Sequence, residues 1–297
     1  MEGYHKSVLL REALDALGVK RDAWYIDCTL GDGGHSIEIL RKGGKLVGID
    51  IDPQALSRAQ IRLESLGIDK IRYKLVQGNF REVKNLIYQQ TDTKDRKFAG
   101  AIFDLGVSSL QLEAPERGFS FSKEGPLDMR MDPNLAVRAL DLINALSRKE
   151  LYELFKSLGE EKYSWALANS IVSARQVIPI TTTGQLAALV EKSVRRKKGD
   201  IHPATRVFQA LRIAVNDELG ALQEGLDQVK DLIEKNGRVV VISFHSLEDR
   251  IVKHTFGNWE DERVGEVLTK KPVVPSNDEI SMNPRSRSAK MRVFRFI

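Results

Sequence analysis

Four short apolar runs alternate with helical patterns between residues 24 and 104, and this alternation limits the possible folds more than any other feature. The apolar runs are 24–27, 45–50, 71–76 and 98–104. The helical patterns between them cover 35–42, 53–66 and 80–90. A chain that alternates strands and helices in this way builds a parallel sheet with right-handed crossover connections. The sequence therefore predicts a fold of the α/β class.

The first run leads into a glycine-rich loop. The strand at 24–27 is followed by Gly31, Gly33 and Gly34, and a helix begins near His35. Glycine takes positive φ without strain and lets the backbone approach a ligand closely. A strand, a glycine loop and a helix in this order form a ligand pocket at the carboxyl edge of an open α/β sheet. The sequence therefore predicts a nucleotide-sized pocket here.

Three of the strands end in an acid, and these acids help to choose between two ligand classes. The acids are Asp27, Asp50 and Asp104. A dinucleotide loop of the form G-x-G-x-x-G requires a third glycine where Ser36 stands, and carboxylates repel its pyrophosphate. S-adenosylmethionine carries a sulfonium and an ammonium group, which carboxylates attract. The pattern favours S-adenosylmethionine, and Asp50 is suited to accept the ribose hydroxyls of either ligand.

Asp104 is also a candidate catalytic residue. An acceptor at this edge of the sheet can take a hydrogen bond from an exocyclic amine and aim its nitrogen at a methyl donor. The alternative is that Asp104 only holds the cofactor or caps a turn. Phe80, just after the third strand, either covers the adenine face or packs in the core.

A stretch of about a hundred residues interrupts the strand–helix series. Between 107 and 213 only helical patterns occur. Two capping boxes mark helix starts there, Ser147 with Glu150 and Thr182 with Gln185. The interruption predicts an inserted, all-helical second domain.

The sheet is expected to resume after the insertion. An apolar stripe from Val215 to Ile233 predicts one long helix that ends at Gly237, and 238–244 is the next strand. Two closing strands are expected to form a hairpin around a loop at 275–287. These closing strands are 267–274 and 290–296. The predicted domains are 1–106 with 214–297 for the sheet and 107–213 for the helical insertion.

Composition indicates a soluble protein of the cytoplasm. The chain is 42% hydrophobic and 29% charged, as globular proteins are. It has no run of 18 apolar residues and no apolar segment at its start, so neither a membrane partner nor secretion is expected. Cys28 is the one cysteine and cannot form an intramolecular disulfide, which fits a reducing compartment. A small buried side chain is favoured there over a reactive thiol.

Basic charge is concentrated in two parts of the chain. The net charge is +5, while residues 107–212 hold 16 basic and 12 acidic side chains, and 283–297 hold five basic residues and no acid. These parts are expected to contact the phosphates of a nucleic acid, although a solvated charge run is the alternative interpretation. The candidate RNA-binding residues are Arg195, Arg196, Lys197, Lys198, Arg206, Arg285 and Arg287.

The histidines do not indicate a metal centre. His202, His245 and His254 lack metal-ligand spacing with any cysteine or cluster of acids, so no metal site is predicted. His245 and Ser246 follow the fifth strand, where they either contact the target nucleotide or cap a helix.

Nine sequence blocks in one order resemble the bacterial small-subunit ribosomal RNA (cytosine-N4)-methyltransferase family, the MraW type, along essentially the whole chain. The first four are HKSVLL at 5–10, DCTLGDGGH at 27–35, DIDPQ at 50–54 and DLGVSS at 104–109. The others are ERGFSF at 116–121, GPLDMRMD at 125–132, HPATRVFQ at 202–209, SFHSLEDR at 243–250 and NPRSR at 283–287. So many blocks in order are highly specific.

The resemblance implies both a reaction and a set of contacts. It implies a Rossmann-like class I methyltransferase sheet with an inserted all-helical second domain, and S-adenosylmethionine as cofactor. The implied substrate is a decoding-centre cytidine, methylated on N4, in 16S rRNA or the small ribosomal subunit. The implied cofactor contacts are Gly33, Gly34, His35, Asp50, Phe80, Asp104 and Gln111.

Two alternatives stay open at this point. One is an RNA-binding ribosome assembly factor that keeps the fold without catalysis, and the weaker one is a dinucleotide-dependent oxidoreductase. The sequence does not distinguish a monomer from a homodimer.

Overall fold

The computed structural model of the chain describes residues 7–93, 96–194 and 202–297. The chain divides into two compact units. The first comprises Met1–Gly106 and Leu219–Ile297, and the second comprises Val107–Glu218. No helix of the described ranges is both long enough and apolar enough to cross a membrane.

The first unit is built on a seven-stranded sheet. Its strands are β1 Trp24–Asp27, β2 Lys45–Asp50, β3 Tyr73–Gln77, β4 Phe98–Asp104, β5 Ile233–Ser243, β6 Gly265–Val267 and β7 Lys290–Phe296. The strand order is β3-β2-β1-β4-β5-β7-β6, in which β1 to β5 run parallel and β7 is antiparallel to both of its neighbours. The predicted α/β class is confirmed.

Helices cover both faces of this sheet, which is why its strands are apolar throughout. Along β4, Phe103 faces one core while Ile102 faces the other, because successive side chains of a strand point to opposite faces. The α-helices of the described chain are α1 Leu10–Leu17, α2 Gly34–Arg41, α3 Pro53–Ser65, α4 Val83–Gln90, α5 Ser109–Glu113, α6 Ala139–Ala145, α7 Arg148–Leu158, α8 Ser164–Arg175, α9 Thr183–Ser193, α10 Ala204–Asn216, α11 Glu218–Lys230, α12 Ser246–Asp261 and α13 Asn277–Met282.

The second unit is helical and has its own apolar core. It contains α5 to α10, and its described residues form no strand beyond one isolated bridge between Pro126 and Thr182. Both predicted capping boxes are present, at the starts of α7 and α9. The core includes Leu151, Phe155 and Leu167, all fully buried. The predicted insertion is therefore all-helical in its described part.

The long helix predicted after the insertion is wrong. Two helices stand in its place, because α10 ends before Asp217, which adopts a left-handed φ of +47°. The second helix, α11, ends at Lys230 and does not reach Gly237. Ile233 instead begins β5, where it pairs with Phe98 of β4. Pairing with an existing strand outweighs the helical periodicity of the stripe.

The predicted closing hairpin is only partly right. β7 lies where it was expected, but its partner β6 covers only Gly265–Val267. Beyond β6, Pro272 has no N–H to donate to a ladder, and regular pairing is reduced to one bridge between Val273 and Met291. The expected loop contains α13, a short helix that Ser276 caps.

Replacing Gly118 by alanine is expected to destabilise the second unit strongly. An added Cβ would lie 2.2 Å from the carbonyl oxygen of Pro126, at a φ of +71°. We expect urea unfolding to show a loss of about 4 kcal/mol. Gly67→Ala is the matched control, because its φ is +66° but no atom lies within 4 Å of an added Cβ. That variant should lose only the strain, about 1 kcal/mol. Equal losses in the two variants would contradict the steric argument.

Candidate active site

The carboxyl ends of three strands form one edge of the sheet. β1 lies between β2 and β4, so the chain winds outward in one direction through β2 and β3 and in the other through β4 and β5. Ligands of open α/β sheets bind at such a switch point. Asp27, Asp50 and Asp104 end β1, β2 and β4, so the topology brings the three predicted acids to this edge.

The Asp27 carboxylate hydrogen-bonds to residues on both sides of the glycine loop. Its Oδ2 accepts a hydrogen bond of 2.6 Å from the Ser36 hydroxyl, and its Oδ1 accepts one of 3.1 Å from the backbone N–H of Thr29. The side chain is buried, and burial raises the pKa of Asp27 to about 6, although these hydrogen bonds oppose the shift. Asp27 therefore ties the end of β1 to the start of α2.

The Asp50 carboxylate hydrogen-bonds directly to the backbone of the glycine loop. Its Oδ2 accepts from the N–H of Gly31 at 2.7 Å, and its Oδ1 accepts from the N–H of Asp52 at 2.9 Å. Burial raises the pKa of Asp50 to about 6, against the effect of both hydrogen bonds. Each carboxylate oxygen has a further lone pair, so the predicted contact with ribose hydroxyls is compatible with these bonds.

The glycines allow a conformation that other residues would strain. Gly31 and Gly33 have φ values of +51° and +75°. Gly34 has a different reason, since an added Cβ would lie 1.9 Å from the Ser7 hydroxyl. The loop is thus closely covered by the segment that precedes α1.

His35 is buried, and its two contacts determine which ring nitrogen carries the hydrogen. Its Nε2 lies 3.1 Å from the carbonyl oxygen of Val8, and its Nδ1 lies 3.5 Å from Oδ2 of Asp104. A carbonyl only accepts, so Nε2 carries the hydrogen and Nδ1 presents a lone pair. Burial lowers the pKa of His35 to about 4, although the bond to Val8 opposes this. The imidazole is therefore neutral, and its contact with Asp104 is not an ion pair.

Asp104 has one oxygen that the described chain leaves without a partner. Its backbone N–H donates to Thr29 Oγ1 at 2.6 Å, and its Oδ2 faces His35. Its Oδ1 is buried and has no hydrogen-bond partner among the described residues. Burial, reinforced by the charges of Asp27 and Glu248, raises the pKa of Asp104 well above its usual range.

A buried acceptor without a partner is costly, and at Asp104 a donor from a bound ligand or a water would satisfy it. The acids at this edge also make it suitable for a cationic ligand and unsuitable for a pyrophosphate. The residues present therefore fit S-adenosylmethionine.

Phe80 lies beside this edge in a fixed orientation. Its ring meets that of Phe103 edge-on, with centroids 5.5 Å apart. An added Cβ on Gly225 of α11 would lie 2.8 Å from the ring, so glycine makes room for it there. The ring is only partly buried. Core packing is therefore observed for Phe80, and its contact with adenine stays a prediction.

Gln111 belongs to the second unit. It is buried, and its Oε1 accepts from the N–H of Ser108 in the capping box of α5. The predicted contact of Gln111 with the cofactor stays a prediction.

The candidate RNA-binding residues are only partly described. Residues 195–198 lie outside the described ranges. Arg206 donates to the carbonyl oxygen of Glu160 within the second unit, and Arg285 and Arg287 are exposed on a short 3₁₀ turn at Pro284–Ser288. His245 caps α12 by accepting from the N–H of Glu248.

Three contributors to the site carry no signal in the sequence pattern. Thr29 accepts from the backbone of Asp104, Val8 fixes His35 through a main-chain carbonyl, and Ser7 covers Gly34. Val8 acts through its backbone, which does not depend on residue type, and the Thr29 and Ser7 hydroxyls meet partners 75 and 27 residues away in the chain, so composition and spacing could not reveal these contacts.

Comparison with known proteins places this site in a family context. A family model described as the MraW methylase family matches residues 2–297. A ribosomal RNA small subunit methyltransferase H from Carboxydothermus hydrogenoformans is 44% identical over 310 residues, covering 98% of this chain and 97% of that protein. A protein of the same name from Clostridium botulinum is 43% identical over 316 residues, covering 100% of both chains. A crystal structure of an rRNA methylase from Streptococcus thermophilus aligns over 99% of both chains, with 12% identity and a TM-score of 0.47.

Proposed function

Because this chain belongs to the MraW methylase family, we propose that it methylates the N4 amine of a cytidine in the decoding centre of 16S rRNA. The family makes the chain an S-adenosylmethionine-dependent methyltransferase acting on small-subunit rRNA. The single observation that carries the finer proposal is Oδ1 of Asp104, a buried acceptor at the cofactor edge that the described chain does not use.

The proposed cofactor contacts are Gly33, Gly34, His35, Asp50, Phe80, Asp104 and Gln111. S-adenosylmethionine, when bound, supplies an electrophilic methyl group. The acids at the strand ends favour its positive charge.

Asp104 is suited to activate an exocyclic amine for methylation. The lone pair of cytosine N4 is delocalised into the ring, so the amine is a weak nucleophile. An N4–H donated to Oδ1 of Asp104 orients the nitrogen and localises its lone pair. The carboxyl group also stabilises the positive charge that N4 gains as its bond to the methyl carbon forms. The N4 proton then leaves to Asp104 or to water.

The cysteine argues against methylation of a ring carbon through a covalent adduct. Such an adduct requires a reactive thiolate, whereas Cys28 is buried and its burial raises its pKa well above the usual range. An amine needs no adduct, because it is itself the nucleophile. N4 is therefore favoured over the ring carbon C5 as the acceptor atom on a cytosine.

Mass spectrometry of nucleosides tests this proposal directly. The protein is incubated with S-adenosylmethionine and small-subunit RNA from cells that lack the gene, both as naked RNA and as the assembled subunit. We expect N4-methylcytidine in one of the two substrates. A 5-methylcytidine product would contradict the acceptor atom, and cofactor binding without any methylated nucleoside would support an assembly factor.

We assign RNA binding to the basic second unit together with the tail. Arg287 is exposed on its 3₁₀ turn, so it is accessible to a phosphate. We expect Arg287→Ala to weaken RNA binding and to reduce the slope of log affinity against log salt by about 1. Filter binding at several salt concentrations measures this slope. An unchanged slope would remove Arg287 from the interface.

A further inference from the structure

The segment Ser7–Leu9, here called the N-terminal strap, lies directly on the cofactor loop. The Ser7 hydroxyl lies where a side chain at Gly34 would have to be, and the Val8 carbonyl accepts from His35. Val8 and Leu9 are buried, with 3% and 1% of their surface exposed. The strap is therefore packed into the site and forms part of it.

Glu279 of α13 holds this strap from the other end of the chain. The N–H of Leu9 donates to Oε1 of Glu279 at 2.7 Å, across 270 residues of sequence. Leu9 stands at the N-cap of α1 with a φ of +50°, and its own side chain cannot cap the helix. Glu279 is itself placed by the Ser276 hydroxyl, which accepts from its N–H at 3.1 Å.

The two contacts of the strap belong to one peptide group. The Val8 carbonyl and the Leu9 N–H are the two ends of the same peptide bond, which is planar and rigid. Its N–H donates to Glu279 and its carbonyl accepts from His35. A carboxylate bound to the N–H polarises the peptide and strengthens its carbonyl as an acceptor. One continuous path therefore runs from Glu279 through the peptide and His35 to Asp104.

We infer that Glu279 is a positioning residue for the catalytic carboxyl group of Asp104. By holding the Val8–Leu9 peptide, it keeps hydrogen on Nε2 of His35 and turns the lone pair of Nδ1 towards Oδ2 of Asp104. Before the cofactor binds, a proton on Asp104 is then held on Oδ2. A nearby sulfonium favours loss of this proton, and in both states Oδ1 can accept from the target amine. This inference rests on the proposed role of Asp104 in methyl transfer.

The kinetic test compares three substitutions on one short helix. Glu279→Ala should lower kcat about tenfold, with little change in KM for RNA. Glu279→Gln should stay within about twofold of wild type, because its amide oxygen can also accept from Leu9. Asp278→Ala is the matched control, since this neighbouring acid is exposed and, among the described residues, it is Glu279 that hydrogen-bonds to the strap. It should leave kcat unchanged.

A second readout does not depend on methyl transfer. Nitrogen-15 NMR of the histidine side chains, with His35→Asn used to assign the signal, reports which ring nitrogen of His35 carries hydrogen. We expect a single Nε2–H tautomer in wild type and in Glu279→Gln, and a mixture in Glu279→Ala. If Glu279→Ala does not fold, Glu279→Asp carries the same expectation, because its shorter side chain cannot span to Leu9.

The outcomes separate this inference from the proposed function. Wild-type kcat and tautomer retained in the alanine variant, or a glutamine variant as impaired as alanine, would overturn the role of Glu279. A wild-type protein that binds the cofactor but methylates no cytidine would overturn the proposed function. The NMR result would still show whether Glu279 sets the tautomer of His35.

Discussion

Asp104→Asn is expected to lower kcat for methyl transfer by about 10²–10³-fold and to make the protein more stable at pH 8. Asparagine preserves the shape of the side chain, and its amide can donate to Nδ1 of His35 in place of a protonated Oδ2. Orientation is thus largely kept. Asparagine cannot become negative, however, so it does not stabilise the positive charge that develops on the target amine. The loss in kcat measures that electrostatic term.

The gain in stability follows from the environment of the wild-type carboxyl group. Its pKa in the folded protein is raised, chiefly by burial. The stability that such a group contributes is complete below the unfolded pKa, near 4, and is lost as the pH rises through the folded pKa. Wild-type protein should therefore lose stability above pH 4 through Asp104, whereas the asparagine variant should not. Thermal unfolding without cofactor should show an advantage for the variant that grows between pH 4 and pH 8.

Asp227→Asn is the control for this pair of effects. Asp227 is an exposed acid on α11 that accepts from the neighbouring Gln223 and forms no ion pair among the described residues. It should change neither kcat nor the pH dependence of unfolding. Retained turnover in Asp104→Asn would remove Asp104 from the chemistry, and an unchanged Tm profile would contradict its raised pKa.

The parts of the site that depend on residues close together in the sequence could be predicted from the sequence. Asp27, Asp50 and Asp104 are each the last residue of an apolar strand, and parallel topology then brings all three to one edge. Gly31 and Gly33 could be assigned to a tight loop because positive φ favours glycine. The strands and the order of residues around the loop can therefore be predicted from short stretches of sequence.

Other features depend on contacts that no window contains. Glu279 and Leu9 are 270 residues apart, and they meet only because both ends of the chain pack in the core that contains Leu9 and Met291. The early end of α11 is similar, since Ile233 leaves the helical pattern only when Phe98 offers a strand partner. Periodicity describes what a segment could form alone, whereas pairing across the sheet decides what it forms in the fold.

The affinity for S-adenosylmethionine is expected to rise by about tenfold or more between pH 5 and pH 7. Burial raises the pKa of Asp50 to about 6, so Asp50 is partly protonated in this window, and burial also raises the pKa of Asp104 well above its usual range, which opposes its ionisation. A sulfonium near them favours the ionised forms. By linkage, binding releases protons, and affinity increases as the pH rises through the pKa of the free protein. His35 does not contribute, since its pKa is about 4.

Isothermal titration with two ligands isolates the part of this effect that is due to the sulfonium charge. S-adenosylhomocysteine has a neutral thioether in place of the sulfonium and the same ammonium group, so its affinity should depend less on pH. Working below pH 7 keeps the ammonium of both ligands protonated, because an α-amino group titrates near 8. Asp104→Asn should remove part of the pH dependence for S-adenosylmethionine and less of it for the thioether.

A dinucleotide ligand should show the opposite trend, because ionised acids repel its pyrophosphate. Identical pH profiles for the two sulfur ligands would mean that the acids at the strand ends do not sense the sulfonium charge.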